Sequence, residues 1–93
     1  INSQTPYNFF LSQNYPNPFN PTTTIRFSIP KSSHVKLMVF DILGKEVSTL
    51  VNGDIEQGEH SIVFNAQNLP SGVYLYKLTA GDFVQTRKML LLK

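Results

Sequence analysis

Ninety-three residues, 41% hydrophobic and only 15% charged, describe one small domain whose core must draw on most of its length. Cysteine is absent, so no disulfide and no thiolate-held metal or haem can staple the chain. A formal charge of +2, from 8 Lys and Arg against 6 Asp and Glu, is too thin for a nucleic-acid footprint.

The longest purely apolar run, Met89–Leu92, falls far short of the ~20 residues that span a bilayer as a helix. Residues 1–6 are polar without a basic start, so no signal peptide is read there. The chain is therefore expected to be a piece of a longer protein, with residues 1–8 as the end of an upstream linker and 9–93 as one unit.

Apolar residues recur with period two, and no stretch carries a convincing helical period. A first strand is expected around Phe9–Gln13. Ile25, Phe27 and Ile29 alternate with Arg26 and Ser28 in a second, which Pro30 ends because it has no N–H to donate. Val35, Leu37 and Val39 mark a third strand. Asp41-Ile42-Leu43-Gly44 then puts glycine where a hairpin needs positive φ, leading into a weaker fourth strand over Glu46–Val51. Asn52–Gly58 reads as an acidic loop. His60, Ile62 and Phe64 share one side of a fifth strand. Leu69-Pro70-Ser71-Gly72 has the residue pattern of a type I turn. Tyr74, Tyr76 and Leu78 oppose Val73, Leu75 and Lys77 in a sixth strand, and Ala80-Gly81-Asp82 turns into a seventh over Phe83–Leu92. About seven short strands with frequent turn signals predict an all-β, immunoglobulin-like antiparallel sandwich, without the Cys–Trp–Cys core of antibody domains.

No catalytic constellation emerges. G-x-S-x-G is absent, and His34 and His60 fall within predicted strands at no motif spacing, so an enzyme is not expected. Two histidines without cysteine are too few for zinc. Asn52, Asp54 and Glu56 alternate as in a calcium loop, but Gln57 stands where that loop needs glycine, and a solvated loop is the better reading. There is no glycine-rich cradle for a phosphate, so no cofactor and no metal is expected.

Two stretches exceed what a plain sandwich requires. Asn14, Tyr15, Pro16, Asn17, Pro18, Phe19, Asn20 and Pro21 combine turn-forming residues with two large rings, and read as a rigid plug over one end of the sandwich in preference to a ligand site. The last strand is the second. Met89 and Leu91 point to one face and Leu90 and Leu92 to the other, whereas a sandwich strand should be apolar on one side. Either the N-terminal segment covers the second face or a partner docks there; the exposed edge also allows a homodimer through this strand.

Taken together, Leu11–Pro21, Phe40–Val47, Leu69–Leu78 and Lys88–Lys93 closely resemble the type A C-terminal sorting domain of the type IX secretion system of Bacteroidetes, over roughly residues 9–93. A weaker likeness is to the immunoglobulin-like domain of flagellar hook-capping proteins. The resemblance implies a transport and anchoring signal attached to a larger exported cargo. It further implies transit through the periplasm and recognition by type IX components, including an outer-membrane shuttle protein. Cleavage near the N-terminal boundary by a sortase-like protease and delivery to the cell surface or medium complete the expectation. The family's recognition motifs map onto Gly72, Val73 and Tyr74, and onto Lys88, Met89, Leu91 and Lys93. A non-catalytic extracellular adhesion or carbohydrate-binding module remains the alternative; exposed rings at Tyr15 and Phe19 would favour it.

Charge is unevenly laid out: +3 over residues 1–40, −4 over 41–59 and +3 over 60–93. Arg87, Lys88 and Lys93 flank or close the last apolar strand.

Overall fold

Strand pairing satisfies the backbone of a chain whose apolar residues alternate, and two such sheets hide their apolar faces by stacking. The computed structural model describes residues 7–93, so most of the expected upstream linker lies outside the described residues. Seven strands follow in order: β1 Phe10–Leu11, β2 Thr22–Ile29, β3 Ser33–Asp41, β4 Glu46–Ile55, β5 Gly58–Asn65, β6 Gly72–Ala80 and β7 Phe83–Leu91. They form two antiparallel sheets, β1-β2-β5 and β4-β3-β6-β7, as an immunoglobulin-like sandwich does.

The inward positions are those the alternation picks out. Ile25, Phe27 and Ile29 of β2 meet Val35, Leu37 and Val39 of β3 and Tyr74, Tyr76 and Leu78 of β6 in one buried cluster. Each such side chain contributes roughly 1.5–3 kcal/mol through burial. At the β3–β4 turn, Asp41 Oδ1 accepts from the N–H groups of Leu43 (3.0 Å) and Lys45 (2.9 Å). Gly44 takes φ +87° there, a conformation L side chains rarely adopt.

Three local expectations are revised. β1 is only two residues long, because the chain after Leu11 leaves the ladder. The acidic loop expected at Asn52–Gly58 is largely strand: β4 runs to Ile55 by pairing with β3, Ser33 opposite Ile55 and His34 opposite Asp54. Two register shifts make β4 an irregular edge, which discourages pairing with another chain. The hydrogen-bonded turn expected at Leu69–Gly72 falls at Ala66–Leu69, with Asn65 Oδ1 capping the N–H of Gln67. Ahead of β1, the Asn8 carbonyl accepts from Ser28 Oγ at 2.6 Å.

Tyr74, at the start of β6, donates its hydroxyl to the carbonyl of Pro70 at 2.7 Å. A tyrosine bonding back to the chain just upstream of this strand is the tyrosine corner of immunoglobulin-like sandwiches.

Candidate functional site

The proline-rich segment between β1 and β2 crosses from one sheet to the other. Tyr15 pairs with Thr24 of β2, and Phe19 forms a parallel bridge with Leu91 of β7. The Tyr15–Pro16, Asn17–Pro18 and Asn20–Pro21 peptide bonds are cis. Asn14 and Phe19 face inward, each 2% exposed, while Tyr15, Pro16, Asn17, Pro18 and Asn20 face solvent and Pro21 is half-buried. Phe19 reaches the core beside Phe64, ring centroids 6.1 Å apart.

A buried polar network fixes this strap. The Asn14 N–H donates to the Tyr76 hydroxyl (2.8 Å), which donates onward to the Ser12 carbonyl (2.7 Å). Asn14 Nδ2 donates to Thr23 Oγ1 (3.0 Å) and to the Pro16 carbonyl (3.1 Å), and its Oδ1 accepts from Gln13 Nε2 (2.7 Å). Asn14 is buried and therefore satisfied at both ends of its amide, since an unpaired amide out of reach of water would be costly. Burial pushes the Tyr76 phenol above its ordinary range; the Asn14 N–H and the Arg87 charge pull the other way and are outweighed. Tyr74 is also raised, by burial first and by the Asp41 charge second.

The same strap covers the outer edge of β7. Gln13 Nε2 donates to the Lys88 carbonyl (2.7 Å), and Leu90 N–H donates to Asn17 Oδ1 (3.0 Å). Phe19 N–H donates to the Leu90 carbonyl and Leu92 N–H to the Phe19 carbonyl, both at 3.0 Å. Arg87 Nε donates to the Leu11 carbonyl (2.5 Å). A second copy adding a strand along Lys88–Leu92 would have to displace these bonds; among the described residues only the Val84–Thr86 part of the edge lacks such cover.

Strand geometry divides the expected recognition residues into two groups. Tyr74, Met89 and Leu91 are 4%, 1% and 0% exposed, so their side chains build the core and are not offered to a partner of the folded domain. Gly72 opens β6 opposite Leu91, and Val73 lies opposite Leu90 on the outer face. Lys88 is exposed on that face opposite Leu75, and Phe40 of β3 adjoins Leu75 from the other side. Lys93 is exposed, with its N–H on Ser71 Oγ and its Nζ on the Gln67 carbonyl.

What results is an apolar outer row of Phe40, Leu75, Val73 and Leu90 bordered by Lys77 and Lys88. A shallow hollow of about 220 Å³ opens beside it, lined by Asn17, Val73, Lys88, Met89 and Leu90. The strap covers the edge of β7, with Asn17 bordering the hollow, and leaves this outer row half-buried. Phe40, Leu75 and Leu90 were absent from the motif-based set, although each sits at the polar parity of its strand, which is the signal that finds them.

The remaining polar clusters are modest. His34 lies between Asp54 Oδ1 and Asn52 Oδ1, both at 3.1 Å and on an exposed strand edge. His60 donates from Nε2 to the Glu56 carbonyl (2.8 Å) and stacks on Phe27. No group of three His, Cys, Asp or Glu that could hold a metal ion occurs among the described residues.

A family model described as a secretion system C-terminal sorting domain matches residues 13–92. No curated protein matches the chain.

Proposed function

The chain belongs to the type IX secretion C-terminal sorting domain family, a signal that acts with the secretion machinery to export a cargo protein to the cell surface or medium, and from this premise we propose how the sandwich is read. The folded domain is recognised during periplasmic transit through the outer face of its β6–β7 hairpin. Val73, Leu75 and Leu90 supply apolar contact, and Lys77 and Lys88 supply charge for an acidic rim on the partner. Tyr74, Met89 and Leu91 act from inside, by holding that face flat. The domain has no catalytic role of its own. An outer-membrane shuttle protein is its receptor, and a sortase-like protease removes it near the N-terminal boundary, the cargo continuing upstream of residue 9.

The carrying observation is the half-buried apolar row on a face that a solvated sandwich would make polar. Deleting Met89–Lys93 is a poor test, because it removes two core side chains with the surface. The better test fuses residues 1–93 to a reporter in a host with the secretion system and carries Lys88→Glu with Leu90→Ser. Export is expected to collapse, with the reporter retained in the periplasm and the domain's thermal midpoint little changed. Export at the unsubstituted rate from that variant would refute this face as the recognition surface.

A further inference from the structure

The outer face of the other sheet, β1-β2-β5, carries a second arrangement unrelated to the terminal hairpin. Register fixes its layout. Phe10 stands beside Ser28 and Tyr15 beside Thr24, so both rings project from this face along one side of β2. Four residues of strand separate the two positions, about 14 Å at about 3.4 Å per residue. Arg26 lies midway, opposite Ser61 of β5, while Glu59 stands opposite Ser28 and Val63 opposite Thr24.

Phe10, Tyr15 and Val63 are 51%, 80% and 67% exposed, three large apolar side chains gathered around one arginine. A groove of about 650 Å³ runs between the two rings over Arg26. Among the described residues no salt bridge joins Arg26 or Glu59 to an oppositely charged side chain.

These features select a ligand class. Flat rings at the ends of a polar groove offer apolar faces to the C–H faces of sugar rings. Between them a guanidinium presents five donors in a fixed fork, matched to hydroxyl pairs or to a carboxylate, and Glu59 presents acceptors. Phe19, the ring that the sequence pairs with Tyr15, is buried; Phe10 takes the position instead.

We propose that the outer face of the β1-β2-β5 sheet binds a short oligosaccharide, Tyr15 and Phe10 stacking on its rings and Arg26 holding hydroxyls or a uronic carboxylate between them. The site is separate from the recognition face on β6 and β7, and does not depend on the sorting role.

The test is an amide NMR titration of the 93-residue chain with cellohexaose and, separately, hexagalacturonate. Binding of either, with shifts centred on Phe10, Tyr15 and Arg26, supports the proposal. Tyr15→Ala is then expected to weaken binding about tenfold. Its thermal midpoint should stay unchanged, because the ring makes little packing contact. Arg26→Gln should weaken hexagalacturonate more than cellohexaose if the guanidinium holds the carboxylate. No shifts with either probe up to about 10 mM would overturn the proposal, as would binding that Tyr15→Ala leaves intact.

Discussion

Replacing Tyr76 with phenylalanine removes one oxygen and strands two backbone groups. That hydroxyl accepts from the Asn14 N–H at 2.8 Å and donates to the Ser12 carbonyl at 2.7 Å, on a side chain with no exposed surface. Two lost hydrogen bonds are worth about 0.5–1.5 kcal/mol each, and a buried N–H left without an acceptor costs about 1–3 kcal/mol. Since the second figure overlaps the first, the expected loss is about 2–4 kcal/mol. For a domain of this length that lowers the melting temperature by roughly 10–25 °C. Tyr74→Phe is the internal comparison. Its hydroxyl makes one bond, to the part-buried Pro70 carbonyl, and its loss should cost about 1 kcal/mol. Urea titration gives both values, and amide exchange at Asn14 and Leu90 reports whether the strap has loosened from β7. A Tyr76→Phe loss below about 0.5 kcal/mol, with the Asn14 amide still protected, would refute the reading that this hydroxyl pins the strap.

Phe19→Ala should cost about 3–5 kcal/mol in urea, since it empties a buried ring position beside Phe64 and loosens the segment bridged to Leu91. The tyrosines make stability fall in alkali. Tyr76 and Tyr74 hold their protons more tightly folded than unfolded, so their contribution is complete below the ordinary value of 10.0 and is lost as pH rises through the higher folded-state values. Unfolding free energies measured on either side of pH 10.0 should show that decline, and Tyr76→Phe should make it shallower. A slope identical in the variant would assign the alkaline loss to other groups.

The residues expected from the resemblance to act in recognition show how a motif can mislead about surface. Gly72-Val73-Tyr74 is contiguous, yet period two sends Val73 outward and Tyr74 into the core, where its hydroxyl forms the corner with Pro70. Met89 and Leu91 are likewise interior, and the side chains between them, Leu90 and the neighbouring Lys88, are the ones a partner can meet.

Much of the architecture was legible from alternation alone. Strands β2, β3, β5, β6 and β7 lie where their apolar residues recur at every second position, Pro30 follows the end of β2, and Gly44 occupies the tight turn it was assigned. These are local properties, determined by sterics and by one buried face per strand. The first half of β4 was expected over Glu46–Val51; its outer half, Asn52 to Ile55, escaped because it has polar residues and a glycine where a strand reader wants apolar ones, and pairing with β3 holds it extended. Asn14 escaped for a similar reason: a polar side chain is buried only where Thr23, Pro16 and Gln13 arrive from elsewhere in the chain to satisfy it.

The composition with which the chain was first read now has a location. No cysteine, low charge and a net +2 were set by sequence alone, as was the doubly apolar strand at Met89–Leu92 with its flanking bases. Whether that strand's second face was covered could only be decided by tertiary structure, because the choice depends on where a segment some seventy residues upstream comes to rest. The strap rests on the edge of β7, bonded from Gln13 to Phe19, and leaves the outer row of Phe40, Leu75, Val73 and Leu90 only half-buried. Local period determines which side of a strand each residue faces; only the packed fold determines what, if anything, lies against that side.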